Sequence, residues 1–156
     1  MADTNLFPPR QTITSDPDGT RRFAAGLGRR LKAGVIVLEG PLGAGKTTFV
    51  KGLAEGLGFA AAAREAGSPT FVLAREYPGR LPLVHIDLYR LEAIDADTAD
   101  WLGETFDREA AVAVEWGDRA AHLLPRNHLW IRLAHLGGDE RSIECEVRGN
   151  VTFGKV

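Results

Sequence analysis

The eight residues Gly40-Pro41-Leu42-Gly43-Ala44-Gly45-Lys46-Thr47 constrain this chain more than any other segment. They are entered from the apolar run Val35-Ile36-Val37-Leu38 and left through Val50, Leu53, Ala54 and Leu57, which fall at i, i+3, i+4 and i+7. A short apolar run between glycines suits a buried strand, and the 3.6-residue period marks an amphipathic helix. A strand that turns sharply into a helix needs glycine where side chains would block the backbone. The segment matches the pattern G-x-x-x-x-G-K-[ST], in which successive N–H groups point inward and the helix N-terminus adds its positive end. Such a loop cradles phosphate. A glycine-rich turn with an unrelated lysine would need neither the strand before it nor the helix after it.

The pattern assigns a role to each position. Lys46 places a positive charge on the β- and γ-phosphates of a nucleoside triphosphate, and the Thr47 hydroxyl ligates Mg2+. Gly40, Leu42, Gly43, Ala44, Gly45, Lys46, Thr47 and Thr48 are the expected nucleotide-binding residues. Guanine recognition normally uses an Asn-Lys-x-Asp stretch. None of Asn5, Asn127 and Asn150 precedes a lysine, so ATP is the expected nucleotide.

Around this motif the chain reads as α/β. Residues 11–15 suit a short edge strand, and Asp16-Pro17 suits an N-cap followed by proline at the first helical position. Phe23, Leu27 and Leu31 then predict a helix over 17–32. Strands are expected at 35–39, 70–76, 83–87 and 111–115, and helices from Lys46 to about 57, over 95–102 and over 117–124. Near the end, Leu129, Ile131 and Leu133 alternate, as do Ile143, Cys145 and Val147, with Gly137-Gly138-Asp139 between them. That is an antiparallel hairpin. The expected fold is a mixed sheet of the P-loop NTPase kind, with a parallel nucleotide-binding core extended by antiparallel C-terminal strands and flanked by helices. With no repeat or linker in 156 residues, the chain reads as one domain over 1–156.

Phosphoryl transfer also needs a carboxylate for the metal and a group that places the nucleophile. Asp87 and Glu115 each close an apolar run, at the carboxyl ends of predicted strands where α/β sheets bind ligands. Both are candidate catalytic and metal-binding residues alongside Lys46 and Thr47. His85 shares a strand face with Asp87 and reads either as a ligand or base, or as a hydrogen-bonded core residue. Ser68-Pro69-Thr70 is a turn, or a switch loop whose hydroxyls sense the γ-phosphate. Trp116 suits core packing or a stacking platform, and Arg90 a charge stabiliser or a surface ion-pair partner.

Taken in order, Leu38 to Thr48, Ser68-Pro69-Thr70-Phe71, His85-Ile86-Asp87-Leu88-Tyr89-Arg90-Leu91 and Val114-Glu115-Trp116 resemble the TsaE (formerly YjeE) family. This is the small ATPase family of bacterial tRNA threonylcarbamoyladenosine biosynthesis. The resemblance runs from the N-terminal helix to at least Trp116. It implies a partner-stimulated ATPase in the complex that forms N6-threonylcarbamoyladenosine at position 37 of tRNAs reading ANN codons. There the ATPase supports turnover of a separate transferase subunit. It also implies partners of the TsaB and TsaD type, indirect or weak contact with tRNA, metal and water roles for Asp87 and Glu115, and a first switch region at Ser68 to Thr70. One departure is Pro41, where the family commonly carries an acid; its missing N–H could remove one donor from the cradle. From Asn127 onward the match transfers no residue.

Two rival functions share the motif. In a small-molecule kinase, Asp87 would be the base for a substrate hydroxyl and Arg90 a phosphate clamp. Such enzymes usually close an arginine-bearing lid, and the stretch between Asp87 and Glu115 holds only Arg90 and Arg108. In a non-hydrolysing switch, nucleotide would change partners without turnover. Composition narrows the setting. A net charge of −2 lacks the basic excess of a dedicated nucleic-acid binder. Cys145, the only cysteine, excludes an intrachain disulfide and a cysteine-based zinc site. Residues 1–10 lack the basic head and apolar run of a secretory signal, and no apolar run is long enough to span a bilayer. No membrane association and a cytoplasmic location are expected.

Overall fold

A computed structural model describes residues 7–59 and 73–154. Its elements, in chain order, are β1 (Gln11–Thr14), α1 (Pro17–Arg30), β2 (Gly34–Glu39), α2 (Lys46–Gly56), β3 (Ala74–Tyr77), β4 (Leu83–Asp87), α3 (Ala96–Phe106), β5 (Ala111–Glu115), a 3-10 helix (Gly117–Leu123), β6 (His128–Gly137) and β7 (Glu140–Arg148). The strands form one sheet in the order β1-β7-β6-β2-β5-β4-β3. β2 pairs in parallel with β5 on one side and β6 on the other, and β4 pairs in parallel with β5. β3 runs antiparallel to β4, and β7 antiparallel to both β6 and β1. The fold is thus the expected mixed α/β sheet flanked by helices. The first strand of the C-terminal hairpin completes the parallel core, and the second begins the antiparallel extension.

The pleat of β2 shows why a near-continuous apolar run sits at the centre. Ile36 and Leu38 enter a core with Leu27, Leu31, Phe49, Val50 and Leu53 of α1 and α2 and their surroundings. Val35 and Val37 enter a second core on the opposite face with Val84, Ile86, Leu102 and Val114. A strand covered on both faces has no polar side to show.

Helix ends follow their caps. The Asp16 carboxylate accepts the Gly19 N–H at 2.7 Å, with Pro17 next in the chain, and the Asp95 carboxylate accepts the Thr98 N–H at 2.8 Å. Capping of this kind satisfies N–H groups that the helix itself cannot. The last predicted helix is instead a 3-10 helix with a kink at Ala120. The strand expected at 70–76 occupies 74–77; residues 70–72 lie outside the described residues, and Leu73 precedes the strand.

α1 and α2 pack closely because of their glycines. A Cβ on Gly28 would sit 2.6 Å from the Leu53 carbonyl oxygen, and one on Gly52 or Gly56 would collide with the carbonyl oxygen of Arg21 or Ala25. This contact holds α2, and the loop at its N-terminus, against the sheet. Replacing glycine by alanine normally favours a helix by ~1 kcal/mol. Gly52→Ala is expected to reverse that sign, with a net loss of ~1–3 kcal/mol from overpacking against backbone. Urea denaturation measures it, and a stabilised variant would contradict this packing.

Candidate phosphate-binding site

The loop between β2 and α2 is shaped by what surrounds it. At the end of β2, Glu39 Oε2 accepts hydrogen bonds from Trp130 Nε1 at 2.6 Å and Arg132 Nε at 3.1 Å, tying the strand to β6. A Cβ on Gly40 would lie 2.5 Å from the Leu133 carbonyl oxygen and 3.1 Å from the Ala44 Cβ, so only glycine lets the chain leave the sheet here. Gly43 (φ +80°) and Gly45 (φ +103°) turn the backbone through the left-handed region. The Ala44 N–H donates to the Pro41 carbonyl at 3.1 Å, and the Phe49 N–H to the Gly45 carbonyl at 2.9 Å as α2 begins. Leu42 is 70% exposed, so its contribution to a cradle is its main chain. Pro41 is exposed as well.

Lys46 is the first residue of α2 and only 5% exposed. Its Nζ donates to the carbonyl oxygens of Gly40 and Pro41, the latter at 3.0 Å, and stands 4.4 Å from the Trp116 ring centroid. Burial holds its pKa below the usual lysine value, against the opposing pull of Glu115, Asp87 and Asp118. Thr47 and Thr48 follow, both half-buried.

The two candidate acids are cross-strand neighbours. In the parallel pair β4–β5, Asp87 is in register with Glu115, and Glu115 is in turn in register with Leu38 of β2. Glu115 is 3% exposed, and its Oε2 lies 2.5 Å from Nε2 of the fully buried His85. His85 Nδ1 has no partner among the described residues. The histidine therefore fixes the Glu115 carboxylate from within the core. Asp87 is half-buried, with Oδ1 accepting the Tyr89 N–H at 2.9 Å. Burial raises the Asp87 pKa above the ordinary carboxylate value; Glu115 adds to the rise, while the Tyr89 N–H, His85 and Lys46 oppose it.

Trp116 turns the chain out of β5 at φ +59°, a conformation uncommon for a bulky residue. Its N–H donates to the Leu38 carbonyl at 3.2 Å. Its ring packs 5.1 Å from that of Tyr89. The structure thus brings Lys46, Asp87, Glu115 and Trp116 to one end of the parallel core. Arg90 is exposed and lines a shallow groove with residues 88–94 and Arg119. Ser68 and Thr70 lie outside the described residues.

Chemically, a helix N-terminus and a buried lysine suit a phosphorylated ligand, while two adjacent carboxylates suit a hard cation. Among the described residues no group of three or more His, Cys, Asp and Glu side chains could hold a metal ion. An arrangement in which the ligand's own oxygens complete the shell is the usual one for Mg2+. Sequence reasoning missed the His85–Glu115 bond, the Glu39–Trp130 anchor and Arg119. The i, i+2 spacing of His85 and Asp87 put the histidine in the right place, but its partner lies on another strand.

The electrostatics predict a titration. Glu115→Gln removes one of the influences that raise the Asp87 pKa, so Asp87 should titrate at lower pH in that variant than in the wild type. Carboxyl-carbon NMR across an acid titration measures this. An unchanged or higher midpoint would contradict the adjacency of the two acids.

Comparison with known proteins places this geometry among relatives. The family model described as "Threonylcarbamoyl adenosine biosynthesis protein TsaE" matches residues 14–143. The tRNA threonylcarbamoyladenosine biosynthesis protein TsaE of Bacillus subtilis is 42% identical over 139 residues, covering 88% of this chain and 85% of that protein. Its counterpart from Treponema pallidum is 40% identical over 132 residues, covering 84% of this chain and 96% of that protein. The crystal structure of Bacillus subtilis YdiB superposes with a TM-score of 0.73 at 37% identity, covering 90% of this chain and 86% of that one.

Proposed function

This chain belongs to the TsaE family of threonylcarbamoyl adenosine biosynthesis proteins, and from that premise we propose that it is an ATPase of tRNA modification. In this reading it binds and hydrolyses ATP with Mg2+ within the complex that forms N6-threonylcarbamoyladenosine at position 37 of tRNAs reading ANN codons. It supports turnover of the transferase subunit, with partners of the TsaB and TsaD type and only indirect or weak contact with tRNA. We read residues 1–156 as one nucleotide-binding domain acting in the cytoplasm. Among the described residues no helix is long and apolar enough to cross a membrane.

The observation that carries the ATPase reading is the placement of Asp87 and Glu115, in register on adjacent strands, beside the lysine of a phosphate loop. The residues divide the work. Main-chain amides of residues 43–48 and the start of α2 receive the phosphates. Lys46 exchanges the carbonyls of Gly40 and Pro41 for phosphate oxygens, which answer its buried charge better than neutral dipoles do. Thr47, Asp87 and Glu115 would hold the metal and its water, and Mg2+ would supply neutralisation of the phosphate charge. Glu115, held by His85, orients the water that attacks the γ-phosphorus, and ADP departs as the bond to its β-phosphate oxygen breaks. The burial and the neighbouring Glu115 charge that raise the Asp87 pKa are what a divalent cation would offset.

Two variants separate binding from chemistry. Lys46→Ala is expected to weaken ATP binding by at least about 10-fold, or ~1.4 kcal/mol. Glu115→Ala should keep nucleotide affinity within a few-fold while hydrolysis falls by about 100-fold or more. Calorimetric titration and phosphate release, with and without the partner subunits, provide the readouts. Wild-type hydrolysis by Glu115→Ala in the assembled complex would overturn its catalytic role, and absence of nucleotide binding by the wild type would overturn the function.

A further inference from the structure

Arg119 belongs to none of the motifs, yet it joins the two chain segments that leave the candidate acids. Its Nη1 donates to three carbonyl oxygens, those of Leu88 at 3.3 Å, Tyr89 at 2.5 Å and Leu91 at 3.1 Å. Its guanidinium carbon lies 5.4 Å from the Trp116 ring centroid and 5.7 Å from that of Tyr89. Its backbone N–H donates to the Trp116 carbonyl at 3.1 Å. The segment it grips begins directly after Asp87. Within it, the Tyr89 N–H reaches the Asp87 carboxylate and the Leu88 N–H reaches the Glu115 carbonyl at 3.1 Å. The Trp116 ring is the one that stands over the Lys46 ammonium.

Three carbonyl dipoles converging on one point repel one another unless a cation sits among them. Trp116, at a left-handed φ, needs its surroundings to hold it there. A guanidinium answers both needs, because the two N–H groups of Nη1 are shared among the three carbonyls while its planar, delocalised charge lies near two aromatic rings; an ammonium can donate to the carbonyls but offers the rings no such plane. We propose that Arg119 is a positioning residue for ATP hydrolysis. It closes the chain after Asp87 onto the chain after Glu115, and so sets the spacing of the two carboxylates and the seat of the Trp116 ring beside Lys46. The inference rests on the ATPase reading above.

The test compares the wild type, Arg119→Ala and Arg119→Lys as full chains assembled with the partner subunits. It records kcat and KM for ATP, the folded fraction at the assay temperature, and amide hydrogen exchange over residues 88–91. The expected result for Arg119→Ala is a fall in kcat of about 10-fold or more with KM within about three-fold. The folded fraction should be unchanged and exchange at Tyr89 to Leu91 faster. Arg119→Lys should recover only part of kcat, and it carries the test alone if the alanine variant does not fold. Wild-type kcat in both variants, a loss confined to KM, or a loss that simply follows the folded fraction overturns the proposal. A wild type that hydrolyses no ATP overturns the ATPase reading and this proposal together, a result distinct from inactive variants beside an active wild type.

Discussion

The site depends on one close approach, that of Gly40 to the carbonyl of Leu133. β2 has parallel neighbours on both sides, so the chain leaving its carboxyl end is hemmed by β6 and by β5. Without a side chain at Gly40 the backbone passes 40–45 against the sheet and starts α2 directly above it. The parallel arrangement does the rest. Because β4 and β5 point the same way as β2, their terminal acids emerge at the same end of the sheet as the loop. A mixed order with β5 reversed would send Glu115 to the opposite end.

Electrostatics make the resting site a balanced arrangement. A buried lysine stands near three acids, and its hydrogen bonds go to main-chain carbonyls. The two strand-end acids stand beside each other, one braced by a buried histidine and the other by a backbone N–H. Neither sign of charge is ideally matched. In the proposed function, a polyanion carrying a cation would add a counter-charge for each sign at once.

Much of this was legible in the sequence, and the reasons differ by element. β4 and β5 are continuous apolar runs ending in acid, and their boundaries matched residue for residue. The glycine turn from β2 into α2 was legible because its signals are local. The pairing of β6 was not, since alternation in Leu129, Ile131 and Leu133 says which face is buried but not which strand lies alongside. Gly52 and Gly56 carry no periodic or motif signal, and only the position of α1 shows that they are contact points. Arg119 and the bond between His85 and Glu115 join residues distant in sequence, with no period or motif to mark them.

The proposed seat of the nucleotide polyphosphate is the run of amides from Gly43 to Thr48. A 1H–15N NMR titration with ATP and Mg2+ tests it most directly. Saturable shifts are expected, largest at those six amides and at the Trp116 indole, with ADP shifting fewer of them. Saturable binding that leaves these resonances in place and moves another surface would contradict it.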